Sequence, residues 1–322
     1  MAAITYSKQY DSFLTSTTDI IAGKIPTESV WDDNKLFHYL KKSGNYISSS
    51  GGNDYVENVQ FGKNGTASGH APSAGLNNTI GDEFTRVRFE QANYTVQTRV
   101  SGFEFRSNAD PYALFNLIDE RLKSAAMEME DIIATDQYST GDGTDYKFLG
   151  IQTAIADVPT TTSCGGVPTS ELAWRNQYDS SAISFATDGE DKMQEMYMKC
   201  TVKGFGSPDL IITDRAGWTR YAKALRKDGR LLAPLEGKGN SGFDTLRFGK
   251  ADVVWDVKCP ANHWYYLNTK AMKYRYLSKA DFILEGPLLD ISQDAKFWRI
   301  IHNGQWTINS RRCLGVQSNV AD

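Results

Sequence analysis

Two periodicities stand out along the chain. Between 82 and 106, Val87 and Phe89 alternate with Arg86, Arg88 and Glu90. Tyr94, Val96, Thr98 and Val100 then alternate with Thr95, Gln97, Arg99 and Ser101. Period 2 marks strands with one buried and one polar face. From 109 to about 138 the spacing changes to 3 and 4. Leu114, Leu117, Ile118, Leu122, Ala125, Met129, Ile132 and Ile133 share one face, and Asp119, Glu120, Lys123, Glu128, Glu130 and Asp131 fill much of the other. This predicts a helix of about 28 residues and ~42 Å. Asp110 is its expected cap, Pro111 suits its first turn, and Gly141-Asp-Gly143 ends it.

Weaker patterns surround these two. Residues 1–45 mix Ser/Thr clusters with isolated large residues, among them Tyr6, Tyr10 and Phe13, and read as an arm. A short helix is expected through Asn34 to Lys42, with Leu36, Phe37 and Leu40 on one face. Residues 46 to about 80 are rich in Gly, Ser and Asn and read as loop or weakly ordered chain. A loop of that length inside a domain is usually functional or mobile. Residues 150–187 read as irregular. A helix follows from Asp188 or Gly189 to about Lys203, with Met193, Met196, Tyr197 and Cys200 on one face. Pro208 to Thr213 reads as a buried strand. Asp214 to Lys227 reads as a helix with Trp218, Tyr221, Ala222 and Leu225 inward and Gly229 at its end. Strands are expected at Leu246 to Val257, Trp264 to Asn268, Met272 to Leu277 and Phe297 to Asn309. The last places Trp298, Ile300, Trp306 and Ile308 in a sheet core.

Composition narrows the class. The chain has 322 residues, 40% hydrophobic and 23% charged, with a net charge of −4. That excludes a collagenous or disordered chain and argues against a free-standing nucleic-acid binder. Apolar runs such as Leu210-Ile211-Ile212 fall far short of the ~20 residues a membrane-spanning helix needs. The length suggests about two domains. Cys164, Cys200, Cys259 and Cys313 are widely spaced, so no disulfide framework is expected. The N-terminal segment has no apolar stretch of signal-peptide type, which with the cysteines suggests a reducing cytoplasm. The sequons at Asn64, Asn77 and Asn93 are then chance matches.

No familiar catalytic motif occurs: no GxSxG, HExxH, Walker lysine motif or strand-helix GxGxxG. His38, His70, His263 and His302 are scattered, and His263 beside Trp264 is expected to be structural. Asp136, Asp142 and Asp145 miss the alternating spacing of a Ca²⁺ loop. No catalytic residue, metal or cofactor is expected. The basic run Arg215, Arg220, Lys223, Arg226, Lys227 and Arg230 reads as a solvated or intersubunit helix face in preference to a nucleic-acid surface. Met193 and Met196 read as core, although the group with Met198 has the adaptability of a binding surface.

The order of elements is more informative than any motif. An arm, a long glycine-rich hairpin, a very long helix, a mixed region and returning C-terminal strands follow one another. Phe148-Leu-Gly-Ile151, Gly165-Gly-Val167 and Trp174-Arg-Asn-Gln177 follow the long helix. Asp209-Leu-Ile-Ile-Thr-Asp214, Asp228-Gly-Arg-Leu-Leu232, Phe248-Gly-Lys-Ala-Asp-Val-Val-Trp255, Ala261 to Tyr265 and Leu267-Asn268 come later. Over nearly the whole chain this resembles the major capsid protein of tailed phages, the Hong Kong 97 fold family. The resemblance implies an α+β fold with an N-terminal arm at 1–45 and an E-loop hairpin with flanking strands at 46–106. A P-domain at 107–205 would carry the spine helix (about 110–138), with an A-domain at 206–290 and strands returning to the P-domain at 291–322.

The resemblance also implies a function. The chain would build hexamers and pentamers of an icosahedral shell around double-stranded DNA, assembled in the host cytoplasm as a procapsid that matures into the virion. Its partners would be copies of itself, a portal protein, DNA contacted non-specifically and, where present, a cement protein. No long charged scaffold domain precedes the arm, which implies a separate scaffolding protein. Intersubunit contacts are expected at Tyr6, Tyr10 and Phe13 of the arm, Lys63 of the E-loop, and Arg86, Arg88 and Arg99. The Lys, Asn and Glu of an isopeptide crosslink are not assignable. The alternatives are an encapsulin-like nanocompartment with the same fold, and a cytoplasmic hydrolase or sugar-binding protein built around a deep pocket.

Overall fold

A single 14-residue strand organises the first sheet. The computed structural model describes residues 34–62, 66, 67, 69, 83–107, 111–227 and 246–321. In it, β13 (Ala295–Ile308) is flanked over its first two thirds by β4 (Ala92–Ser101) and β12 (Ile283–Leu289), both antiparallel. Its last third pairs with β11 (Met272–Leu277), and β11 pairs in parallel with β1 (Tyr46–Ser49). Trp298, Ile300, Trp306 and Ile308 are buried along β13, as expected.

The long helix is α3 (Pro111–Gln137), about 40 Å at 1.5 Å per residue. It lies across β4 and β13. Ile118 and Leu122 pack with Val100 and Trp298 near one end, and Ala125, Ala126, Met129 and Ile133 join the main core. Ile132 lies at the rim of this face and is 36% exposed. The short helix before the first sheet is α1 (Lys35–Lys42). Asn34 caps it by accepting from the Phe37 amide at 3.3 Å, and Leu36, Phe37, Tyr39 and Leu40 are buried. A further short helix, α2 (Gly102–Ser107), follows β4 where the sequence suggested a continuing strand.

A second, six-stranded sheet has the order β5-β14-β10-β7-β9-β8. Its strands are β5 (Gln177–Asp179), β7 (Leu210–Thr213), β8 (Leu246–Phe248), β9 (Ala251–Trp255), β10 (Trp264–Leu267) and β14 (Gly315–Gln317). Every residue of β7 and β10 is buried, because both faces are covered. Leu210, Ile212, Tyr265 and Leu267 face the main core, which is continuous with the first sheet. Ile211, Trp264 and Tyr266 face α5 (Phe185–Lys199) and α6 (Arg215–Lys227). The sequence placed the start of α5 at Asp188 or Gly189. Phe185 starts it earlier because its ring is buried and stacks on Trp264 at 5.4 Å. Met193 and Met196 are core, whereas Met198 is 60% exposed. A small pairing of β6 (Ile183–Ser184) with β15 (Val320–Ala321) closes the chain.

Two strands lie where the sequence read as loop. β1 supplies one. The other is β2 (Asp54–Gln60), antiparallel to β3 (Phe84–Glu90) in a separate hairpin. β2 buries Tyr55, Glu57 and Val59 and exposes Val56. A carboxylate inside and a valine outside erase the alternation by which a strand is recognised. β12 was also missed. Its Gly286-Pro287 pair reads as a breaker, yet it lies on an edge strand beside a register shift, where proline is tolerated.

Candidate functional site

The hairpin β2–β3 stands on the first sheet through one buried acid. Glu57 is 6% exposed. Its Oε1 accepts from Arg275 Nε at 2.9 Å, Arg275 Nη2 at 2.5 Å and Thr307 Oγ1 at 3.1 Å, and its Oε2 from Lys273 Nζ at 3.4 Å. In the alternative amide orientation, Asn309 also donates to Oε2 at 2.7 Å. Two cations on β11 and two polar groups at the end of β13 thus hold one carboxylate of the hairpin. Such a cluster is stable only when its polar atoms are satisfied together.

Three neighbouring contacts fix the same junction. Gln305 is fully buried on β13. Its amide donates to Glu90 O and Lys147 O, both at 3.1 Å, and its carbonyl accepts from the Leu149 amide at 3.1 Å. Trp306 Nε1 donates to Leu149 O at 2.7 Å. Gly165 meets the hairpin at β3, its carbonyl accepting from the Arg88 amide at 3.2 Å. Its φ is +66°, and a Cβ there would stand 2.1 Å from Val87 Cγ1. Glycine is the residue that satisfies both demands.

The second sheet is tied to α1 and α3 by polar pairs. The Tyr138 hydroxyl at the end of α3 donates to Asp256 at 3.1 Å, and Lys258 pairs with Asp131 at 2.5 Å. The Tyr39 hydroxyl of α1 donates to Asp252 at 3.2 Å. Burial raises the Asp256 carboxyl above the usual range, opposed by the bonds from the Lys258 amide and Tyr138. Arg311 is buried with three acceptors: Ala154 O at 2.7 Å, Thr153 O at 3.1 Å and Asn176 Oδ1 at 3.2 Å. Burial lowers its pKa. Nothing local in the sequence singles out Glu57, Gln305 or Arg311. Their partners lie 135 or more residues away, apart from the adjacent Trp306 amide that donates to Gln305.

Two cavities flank the segment 255–258. One, of about 710 Å³, is lined by Arg215, Thr219, Lys223, Trp255, Asp256 and Cys259 among others. The other, of about 440 Å³, lies between that segment and α3, lined by Met127, Glu130, Asp131 and Ala134 with Lys35 and Val257. Cys259 is buried and its thiol is pushed well up by desolvation, which suppresses the thiolate a nucleophile needs. His263 lines neither cavity. It holds Asp157 at 3.0 Å and the Ala261 carbonyl at 2.7 Å, a structural arrangement that raises its pKa chiefly through Asp157. Asp136 accepts from the Tyr94 hydroxyl at 2.6 Å, and Asp142 accepts from Thr144. Among the described residues no cluster of metal-ligating side chains occurs, and no helix is long and apolar enough to cross a membrane.

The residues expected at intersubunit contacts divide into two sets. Tyr6, Tyr10, Phe13 and Lys63 lie outside the described residues. Arg86 and Arg88 are exposed on β3, on the face of the hairpin opposite Val87 and Phe89. Arg99 is exposed on β4 in the first sheet, donating to Gln293 at 2.5 Å, so it belongs to a different surface from the hairpin pair. All four cysteines are buried and free.

No family model and no curated protein matches the sequence. Solved structures do match the fold. The capsid asymmetric unit of cyanophage A-1(L) superposes with a TM-score of 0.60 at 16% identity, covering 87% of this chain and 91% of that one. The capsid of a native GTA particle gives 0.57 at 13%, covering 88% and 90%. The holo-SrpI encapsulin complex from Synechococcus elongatus gives 0.54 at 9%, covering 87% of each chain. The chain has the α+β fold of tailed-phage major capsid proteins, the Hong Kong 97 type.

Proposed function

We propose that this chain is the major capsid protein of a tailed phage, assembling into the hexamers and pentamers of an icosahedral shell around double-stranded DNA. The observation that carries the reading is the capsid fold itself, matched along 87% of the chain with the cyanophage subunit. The hairpin, α3 and the two sheets would serve as E-loop, spine helix, P-domain and A-domain. Exposed apolar side chains fit a subunit built to meet others: Phe103, Leu289 and Ile291 are 75%, 74% and 104% exposed. The arm residues Tyr6, Tyr10 and Phe13, Lys63, and the arginines Arg86, Arg88 and Arg99 would contribute contacts between copies. A separate scaffolding protein would guide a procapsid, a portal protein would occupy one vertex, and the mature shell would reside in the virion.

A second reading has its own observation, the encapsulin likeness at a TM-score of 0.54. A nanocompartment would enclose protein cargo in place of DNA. Expression of the full chain, alone and with the scaffolding candidate of its gene neighbourhood, followed by negative-stain imaging, tests both. Closed shells support the proposal, and nuclease-protected DNA in native particles separates phage from nanocompartment. A monomer under every assembly condition refutes the shell.

A further inference from the structure

The cavity of about 440 Å³ beside α3 has two apolar walls that nothing in the described chain covers. On α3 it is lined by Met127, Glu130, Asp131 and Ala134, spaced i, i+3, i+4 and i+7, so they share one helix face. This is not the face that enters the main core, which carries Ala125, Ala126, Met129 and Ile133. Met127 is 68% exposed. The facing wall is Trp255 and Val257. Val257 sits in the turn after β9 and is 78% exposed, at a kind of position where Gly, Asn, Asp and Pro are usual. Lys258 and Asp131 bridge the two walls at 2.5 Å, and Asp256 is held by Tyr138 and the Lys258 amide.

The position of this cavity points to its occupant. Asn34 and Lys35 line it as well, so residues 1–33, which lie outside the described residues, join the fold at its rim. The nearest large apolar residue on that side is Trp31, followed by Asp32 and Asp33. Three residues of extended chain cover about 11 Å, enough to turn Trp31 back from Asn34 into the cavity.

We propose that Trp31 of the same chain fills this cavity, its ring against Met127 and Val257. The indole suits the site on both counts. Its body takes apolar surface out of water, and its N–H needs an acceptor at a wet edge, which the Glu130 and Asp131 carboxylates offer. Asp32 and Asp33 then stay at the N-terminal end of α1, where the helix dipole favours negative charge. A ring tethered two residues from its anchor has a high effective concentration, which an untethered partner lacks. The contact pins the arm to its own subunit where α3 meets the second sheet, so only the residues before Trp31 extend toward a neighbour. It lies within one chain and holds whether or not that chain builds a shell.

Peroxide oxidation of the full chain, followed by peptide mass spectrometry, reads the cover over Met127. Met198, 60% exposed on α5, is the reference in the same molecule. With Trp31 seated, Met127 should oxidise at least about tenfold more slowly than Met198, and Trp31→Ala should bring the two rates within about twofold. Trp31→Phe should keep most of the protection. Met193 and Met196, both buried, stay protected in every variant that folds. Equal rates at Met127 and Met198 in the wild type overturn the proposal, and so does protection of Met127 that survives Trp31→Ala. A short bismaleimide applied to the double variant Trp31→Cys, Val257→Cys identifies the chain that supplies the ring, since the four native cysteines are buried. A cross-link within one chain is expected. A link between two chains, or none, overturns the assignment.

Discussion

Exchanging Glu57 for glutamine removes one charge from the foot of the hairpin and keeps the side-chain volume. The carboxylate serves Arg275 twice, Thr307 and Lys273. Glutamine retains one carbonyl for Arg275 and Thr307 but turns an amide toward Lys273. Breaking a fully buried ion pair from one side costs about 3–5 kcal/mol. Here the Arg275 and Lys273 side chains each keep 26% exposure, so water recovers part of that cost. The expected loss is about 2–3 kcal/mol, which is roughly a hundredfold in a local opening constant. Amide hydrogen exchange reads this directly, since sub-global opening is reported segment by segment. Protection should fall by that factor in β2 and β3, while β7 and β10, buried on both faces, keep theirs. Unchanged exchange in the hairpin would refute the anchoring role. A uniform loss across both sheets would show that Glu57 supports global stability instead.

Two further substitutions probe the same architecture. Asp256→Asn removes a charge that burial disfavours and keeps a carbonyl for the Lys258 amide, while its Nδ2 replaces the oxygen that accepts from Tyr138, whose hydroxyl must then turn to accept. Because the folded carboxyl has a raised pKa, the native state binds the extra proton. Stability from this group is full below the ordinary carboxylate pKa and is lost as pH rises through the raised value. Denaturant unfolding against pH should show this decline in the wild type and its loss in Asp256→Asn. Gly165→Ala adds a methyl 2.1 Å from Val87 Cγ1 at φ +66°, costing roughly 2–4 kcal/mol from left-handed backbone and overpacking together. Adding Val87→Ala should relieve only the steric share, which a double-mutant cycle measures.

Much of the secondary structure was legible wherever one physical signal acted alone. α3 showed because an apolar stripe from Ile118 to Ile133 faces one sheet, and β3 and β4 because their inward and outward positions differ in polarity. α6 showed for the same reason, down to Tyr221 and Ala222. The hairpin strand β2 was hidden because its inward acid is paid for by cations more than two hundred residues away. β5 and β14 are three residues each, too short for any period to register, and they exist because neighbours in the second sheet supply their hydrogen bonds. The candidate surfaces divide likewise. Arg86 and Arg88 were readable as the polar phase of a strand. That Arg99 faces a different region required knowing that β4 leaves the hairpin to pair with β13.

The order of elements, the long helix and the polar or apolar character of each face belong to the sequence alone, since they follow from local spacing and side-chain chemistry. What only the tertiary structure decided is which distant groups satisfy one another: Glu57 with Arg275, Tyr138 with Asp256, Arg311 with three acceptors. A buried polar atom must find a partner, but nothing local to it says where in the chain that partner lies.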